Sequence, residues 1–318
     1  MTKQILVTGG AGFIGSALIR RLQTVGDNVI TTIDNLSTGI MENIPDGVDL
    51  IIGDCQEPKC IRKTEGKRFD TIYHIAGQSS GEISFDEPVY DLRTNCESTL
   101  LLLQLARDVG CRKFIYASTM SVYGDLDGGD YAEESLRPQP KSFYGVGKVA
   151  SESYMEIYRQ FGINSVGLRL FNVFGPGQNL ANLRQGMVSI YLAMAFSERR
   201  IEIKGAKERF RDFVYIDDVV DAFTAAERYA ELSSGLFNIG TGRKTTVQSL
   251  ISEIRRLVPF DFSVEYSGQT PGDQYGIVAV IDQARDQLGW QPKTTLHEGL
   301  ITMIDWINRQ KFGVESRG

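Results

Sequence analysis

Short apolar runs alternate with amphipathic stretches through the first half of the chain. Gln4–Val7, Asn28–Ile33, Val48–Ile52, Thr71–His74 and Lys113–Ala117 read as β-strands. Between them, Phe13, Ile14, Leu18 and Leu22 recur at helical spacing over Gly12–Val25, and a dense leucine stripe runs through Thr94–Val109. Strands that are apolar on both faces and separated by helices build βαβ units and a parallel sheet. The pattern therefore predicts an α/β fold, a Rossmann-type doubly wound sheet that takes ligands at the carboxyl ends of its strands.

The pattern loosens after Gly175-Pro176-Gly177, a strong turn signal. Beyond it the spacing predicts a helix near Leu183–Ser197, a short strand near Ile201–Ile203 and a last helix over Leu296–Gln310. Residues 1–175 are thus expected to form a dinucleotide-binding domain, with returning segments near 211–242. Most of 176–318 is expected to form a smaller C-terminal α/β substrate-binding lobe. The apolar runs Ile163–Leu170 and Leu236–Ile239 are predicted to join the main sheet.

Composition narrows the partners. The 318 residues carry 34 Lys+Arg against 40 Asp+Glu, a net charge of −6. An acidic chain argues against nucleic acid as a partner, because phosphate binding wants a basic surface. No apolar run approaches the ~20 residues of a membrane span. The N-terminus runs straight into a strand without a signal-like segment, so a cytoplasmic protein is expected. Cys55, Cys60, Cys96 and Cys111 are then free thiols by default. With no CxxC pair and only His74 and His297, no metal site is expected. His74, ending a strand, reads as a buried, hydrogen-bonded histidine, and Phe210, Phe213 and Tyr215 read as core.

The chemistry begins at Thr8-Gly9-Gly10-Ala11-Gly12-Phe13-Ile14-Gly15, which follows the first strand and opens the first helix. Gly9 permits a tight turn, Gly12 lets backbone approach a pyrophosphate, and Gly15 allows close helix–strand packing. The helix N-terminus offers free N–H groups and its positive dipole end to phosphates. Asp34 ends the second strand, 19 residues after Gly15, where an acid accepts the adenosine ribose hydroxyls. Its charge repels a 2′-phosphate, which favours NAD over NADP. Asn35, Ser37, Thr38 and Gly39 supply further ribose-level groups, and Asp54 with Cys55 could flank the adenine.

Tyr144 and Lys148 stand four residues apart at the start of a predicted helix, so phenol and ammonium share one face. A free tyrosine titrates near ~10, and a neighbouring cation favours its phenolate. Such a pair can take a proton from a secondary alcohol while hydride leaves its carbon. Ser118 and Thr119 follow the fifth strand, where the threonine hydroxyl could hold the same substrate oxygen.

Taken in order, TGGAGFIG (8–15), DNLSTG (34–39), HIAGQSS (74–80), Asn95, ASTMSVYG (117–124), YGVGK (144–148), LRLFNVFGPGQ (168–178), RDFVYIDDV (211–219) and LGWQP (288–292) resemble one family. It is the extended short-chain dehydrogenase/reductase family, in its nucleotide-sugar epimerase/dehydratase branch, and the likeness runs from residue 3 to about 310. The resemblance implies NAD contacts from Phe13, Ile14, Asp34, Asp54, Cys55, Ile75, Ala76, Gly77, Gln78, Asn95, Ser118, Tyr144, Lys148 and Phe171. It implies contacts of Thr119, Asn172 and Arg211 with a nucleotide-diphosphate sugar. It also implies a homodimer packed through the helices of Thr94–Val109 and Ser142–Phe161, with Tyr154 and Tyr158 as candidate face residues.

Departures from the family pattern carry chemical information. Dehydratases resembling this family have Asp-Glu after the threonine, where this chain has Met120-Ser121. Decarboxylase-like relatives keep a Glu where Ser121 stands. Without those acids, oxidation and reduction at one carbinol remain, which suits an epimerase acting at C4 through a transient 4-keto sugar. A nucleotide-sugar 4-dehydrogenase or ketoreductase, an epimerase at another carbon, and a non-catalytic NAD-binding protein stay open. Thr270 stands where similar epimerases often have an arginine on the diphosphate, so the nucleotide is left open. Ile277 matches a sugar-pocket gate position.

Overall fold

Strand β1 (Gln4–Thr8) is fully buried over its last four residues and lies at the centre of the molecule. The computed structural model describes residues 2–126, 129–230, 233–268 and 274–315. After β1, helix α1 (Phe13–Thr24) returns over the sheet on Leu18, Ile19 and Leu22. Then come β2 (Val29–Asp34), β3 (Asp49–Ile52) and β4 (Thr71–His74). Two short helices, α2 (Gly81–Asp86) and α3 (Pro88–Leu92), lead through a π-helical turn at Arg93–Glu97 into α4 (Ser98–Val109). Next are β5 (Lys113–Thr119), α5 (Phe143–Tyr158) and β6 (Asn164–Leu170). The second half adds α6 (Met187–Glu198), α7 (Ile216–Tyr229), β7 (Gly235–Ile239), α8 (Val247–Leu257) and α9 (Leu296–Glu315).

These seven strands form one parallel sheet in the order β7-β6-β5-β4-β1-β2-β3. The direction of winding reverses between β1 and β4, which opens a crevice at the carboxyl ends of those strands. The fold is the doubly wound α/β architecture expected. The chain also returns to the sheet late, since β7 pairs with β6 from Gly235↔Val166 to Ile239↔Leu170. Among the described residues four two-stranded pieces lie outside the sheet, including Asn172–Phe174 with Phe213–Tyr215 and Arg200–Lys204 with Ser263–Ser267. Among the described residues no helix is long and apolar enough to cross a membrane.

Three boundaries differ from the sequence reading. β5 runs two residues further, because Ser118 and Thr119 pair with Arg169 and Leu170 of β6. The helix expected from Leu183 begins at Met187: Asn179 and Asn182 side chains accept the N–H of Ala181 and Arg184, and Gly186 has φ +87°. Those local turns spend the backbone donors a helix would need. The leucine stripe expected from Thr94 is α-helical only from Ser98, after the π turn. Phe210, Phe213 and Tyr215 are 6% exposed or less, as expected of core, with Phe213 and Tyr215 set edge-on to Phe174. Tyr158 turns inward against the sheet core, at 8% exposure, so it is not a surface residue of α5.

Candidate active site

The crevice at the switch point is a cleft of ≈ 990 Å³, open at one side. Its floor is the glycine turn after β1. Gly9 has φ +75°, and a Cβ there would lie 2.8 Å from the Ala76 nitrogen. A Cβ on Gly15 would lie 2.0 Å from the Gly9 carbonyl oxygen, so α1 can leave β1 this closely only without a side chain. Gly12 is different: its added Cβ would meet one atom, at 3.3 Å, and it lines the cleft with Phe13 and Ile14. Helix α1 has no side-chain cap and no acid in its first turn. Its first N–H groups are therefore presented to the cleft, as an anion site requires.

Asp34 sits at the end of β2, 7% exposed, on the cleft wall. Its Oδ2 accepts the Ala11 N–H and its Oδ1 the Leu36 N–H, both at 2.8 Å. Asn35, Ser37 and Thr38 line the wall beyond it, and Asn35 donates to Asp54 at 2.8 Å. Cys55 lines the same end and is buried, which pushes its thiol well up, with the charge of Cys60 adding to it. Ile75, Ala76 and Gly77 form the wall after β4. They are fixed because Thr8 Oγ1 accepts the N–H of both Ile75 and Ala76 at 3.2 Å. His74 is fully buried, its ring nitrogens 2.8 Å from Thr8 Oγ1 and 3.1 Å from Thr99 Oγ1; burial and then the Lys148 charge hold it well down, so it stays neutral.

At the other end of the cleft Ser118, Thr119, Tyr144, Lys148, Phe171 and Asn172 come together. Ser142 caps α5, accepting the Gly145 N–H at 3.1 Å, and so sets where Tyr144 and Lys148 emerge. Lys148 Nζ donates to the Ala117 carbonyl at 2.9 Å and lies 4.6 Å from the Tyr116 ring centre and 5.7 Å from that of Tyr144. Burial lowers its pKa to about 8, opposed first by the Asp91 charge. Burial raises Tyr144 to about 12, opposed by a hydrogen bond with Thr119. This corrects the expected depression of the phenol by Lys148. Burial leads, and the Lys148 ammonium, whose own donated hydrogen bond goes to Ala117, is not among the groups that act on the phenol.

Four residues that the resemblance or the turn reading sent to the ligand do not line the cleft. Gly39 lies beneath the glycine turn, where a Cβ would strike the Ala11 carbonyl carbon at 2.5 Å. Gln78 and Asn95 sit behind the wall, both donating to Asp91, at 2.8 and 3.2 Å. Arg211 is 3% exposed and donates to the carbonyls of Phe210 and Tyr275. Ile277 is fully buried against Phe171 and Val122 rather than at the cleft, and Thr270 lies outside the described residues. Sequence reading also passed over Asp91. Its spacing four residues before Asn95 was the available sign.

Sheet order, glycine turn and switch-point cleft define a dinucleotide-binding protein of the extended short-chain dehydrogenase/reductase type. Residues 5–240 match the NAD dependent epimerase/dehydratase family, and the chain belongs to it. A UDP-glucose 4-epimerase of Mycolicibacterium smegmatis is 33% identical over 312 residues, covering 96% of this chain and 98% of that protein. The UDP-glucose 4-epimerase of Thermotoga maritima, solved with UDP-glucose, superposes with a TM-score of 0.91 at 34% identity, over 97% of this chain and 99% of that one. A UDP-N-acetylglucosamine 4-epimerase of Methanobrevibacter ruminantium, in complex with UDP-N-acetylmuramic acid, gives 0.90 at 29% identity, over 97% and 99%. The cradle fits the family's NAD. The uncapped helix start suits its pyrophosphate, and the carboxylate of Asp34 suits an unphosphorylated ribose.

Proposed function

We propose that the chain is an NAD-dependent nucleotide-sugar 4-epimerase that works through a transient 4-keto sugar. The observation that carries this reading is the meeting of Thr119, Tyr144 and Lys148 in one cleft with the coenzyme cradle, where among the described residues no carboxylate lines the wall beside them. Met120 and Ser121 line the cleft where a dehydratase or decarboxylase needs carboxylates.

The Tyr144 phenolate, stabilised by the Lys148 ammonium, takes the proton from the sugar 4-hydroxyl and becomes the phenol. Thr119 holds the sugar oxygen beside the phenol. NAD, held by the glycine turn of Gly9, Gly12 and Gly15 and by Asp34, would supply the hydride acceptor for the sugar carbon and then the hydride donor that restores it. Tyr144 returns the proton to the keto oxygen as the product forms. Asn172, with a buried and unpartnered Oδ1, faces the substrate, whereas Arg211 would have to leave the Phe210 and Tyr275 carbonyls to reach a diphosphate.

The relatives point to UDP as the nucleotide, and so to a place in carbohydrate metabolism. The apolar side chains exposed on α3 and α5, among them Val89, Leu92, Val146 and Ile157, suit a homodimer face. Four free thiols suit the cytoplasm. Residues 1–175 would serve the coenzyme and most of 176–318 the sugar nucleotide.

Purified protein with no added coenzyme, given UDP-glucose, UDP-galactose and their N-acetyl forms, is followed by NMR. Formation of the 4-epimer with no steady growth of reduced-nicotinamide absorbance is the expected result. Stoichiometric reduction of NAD would instead mark a dehydrogenase. No isomer from NAD-loaded protein on any of these sugars would overturn the reading.

A further inference from the structure

Asp91 is a buried carboxylate for which the proton transfer above has no use. It stands on α3 at 1% exposure. Its Oδ1 accepts from Gln78 Nε2 at 2.8 Å and from Asn95 Nδ2 at 3.2 Å. Its Oδ2 has no partner among the described residues and looks toward α5, where a Cβ on Gly147 would lie 3.6 Å away. Asn95 Oδ1 is buried and unpartnered as well. A Cβ on Gly77 would lie 2.6 Å from that oxygen and 3.5 Å from Lys148 Nζ. The missing side chains at 77 and 147 thus leave the polar pocket around Asp91 open toward the Lys148 ammonium.

The other groups acting on Lys148 do not supply a free negative charge. Glu152, on α5, is held by Arg169 through two hydrogen bonds of 2.9 and 2.8 Å. Cys96 carries a thiol raised by burial, and its Sγ donates to the Gly147 carbonyl. Tyr144 and Tyr116 are buried phenols with raised pKa values, and His74 is neutral. Asp91 remains as the charge of opposite sign that no cation neutralises, and its influence leads those that keep Lys148 protonated.

We propose that Asp91 is a positioning residue whose carboxylate, oriented by Gln78 and Asn95, keeps Lys148 an ammonium at neutral pH. The proposal rests on the reading of Tyr144 and Lys148 as the proton-transferring pair. The burial that pushes Asp91 up to about 6 leaves it ionised for the most part at neutral pH. Asp91 also repels the Tyr144 phenolate directly, so turnover alone does not isolate its action on Lys148.

The test reads Lys148 itself. Protein labelled with 13C-lysine is titrated by NMR, with the Lys148 Cε resonance assigned by its absence in Lys148→Arg. Asp91→Asn keeps the shape and both accepted hydrogen bonds while removing the charge. Its Lys148 midpoint is expected to fall by about one pH unit or more. Asp91→Glu should hold the wild-type midpoint, and Asp91→Ser, a second neutral variant, should reproduce the fall. The basic limb of kcat/KM should move down in step, with KM little changed. An unmoved Lys148 midpoint in either folded neutral variant overturns the proposal. Absence of epimerisation would instead strike the functional reading, since the titration needs no substrate.

Discussion

The side chain that residue 15 lacks would stand 2.0 Å from the carbonyl oxygen of Gly9, backbone against backbone. Nothing flexible can give way there. Gly15→Ala should therefore cost about 3 kcal/mol or more of stability and lose the coenzyme with the fold. Gly12→Ala meets only the Gly9 carbonyl at 3.3 Å, and the glycine lines the cleft. It should melt within a few degrees of wild type yet retain much less NAD. Melting curves and coenzyme content of the two proteins separate these outcomes. If Gly12→Ala kept its full NAD, the pyrophosphate would not lie over that glycine.

Tyr144→Phe removes the phenol at the cleft's reacting end and should lower turnover by about 10²–10⁴-fold while NAD stays bound. The pH dependence follows from Lys148. Its folded pKa of about 8 lies below the ~10.4 of an unfolded lysine. The ammonium that supports the phenolate is present below pH 8 and lost above it, so kcat/KM should fall on that side. Stability runs the other way. Between about 8 and 10.4 the unfolded chain binds the extra proton, so stability rises with pH in that window. Lys148→Met should remove both the rise and the basic limb. Denaturant titrations at several pH values check the sign, and a stability curve for wild type that falls across this window would contradict the burial argument.

Asp34 does two jobs that a substitution would separate. Its oxygens hold the Ala11 N–H in the glycine turn and the N–H of Leu36, a non-glycine residue at φ +57°. Asp34→Ala leaves both donors without their partner, at about 1–3 kcal/mol each where water cannot replace it. It also removes the charge that excludes a 2′-phosphate. The variant should melt lower without any coenzyme, lose NAD affinity, and lose less affinity for NADP, narrowing the preference. Isothermal titration with both coenzymes measures this. Coenzyme-free protein that melts like wild type would mean that the turn does not depend on the carboxylate.

The fold was legible because seven strands are apolar enough to be seen one by one, and the glycine turn sits where the first of them ends. The convergence of Tyr144 and Lys148 followed from a four-residue spacing. Their charge states did not, since spacing says nothing of burial, and burial sends the phenol to about 12 against the expected direction. Asp91 escaped for a related reason. An acid in a short helix with exposed neighbours reads as solvated, and only the tertiary approach of Gln78 and Asn95 encloses it. Gly39 and Asn95 lie beside the cleft but behind its wall, a distinction of a few ångströms that no one-dimensional pattern carries. The helix start at Met187 was set by asparagine side chains that compete for backbone N–H groups.

Glu152 continues the face of Tyr144 and Lys148 one turn further and ends in a buried ion pair with Arg169, the two side chains 5% and 3% exposed. Glu152 Oε1 also accepts from Ser118 Oγ at 2.6 Å, and Arg169 Nη1 donates to the Tyr123 hydroxyl at 2.9 Å. The pair thus ties α5 to β5 and β6 directly behind the reacting end of the cleft. Glu152→Gln leaves a buried guanidinium uncompensated, and Arg169→Met leaves a buried carboxylate, so each single change should cost about 3–5 kcal/mol. Removing both charges together should cost clearly less than the sum, because neither partner is then stranded. A double-mutant cycle by chemical denaturation measures the coupling. Additive losses would mean that the two groups act separately, and that the link from Ser118 through Glu152 to Arg169 does not stiffen the wall on which Thr119 stands.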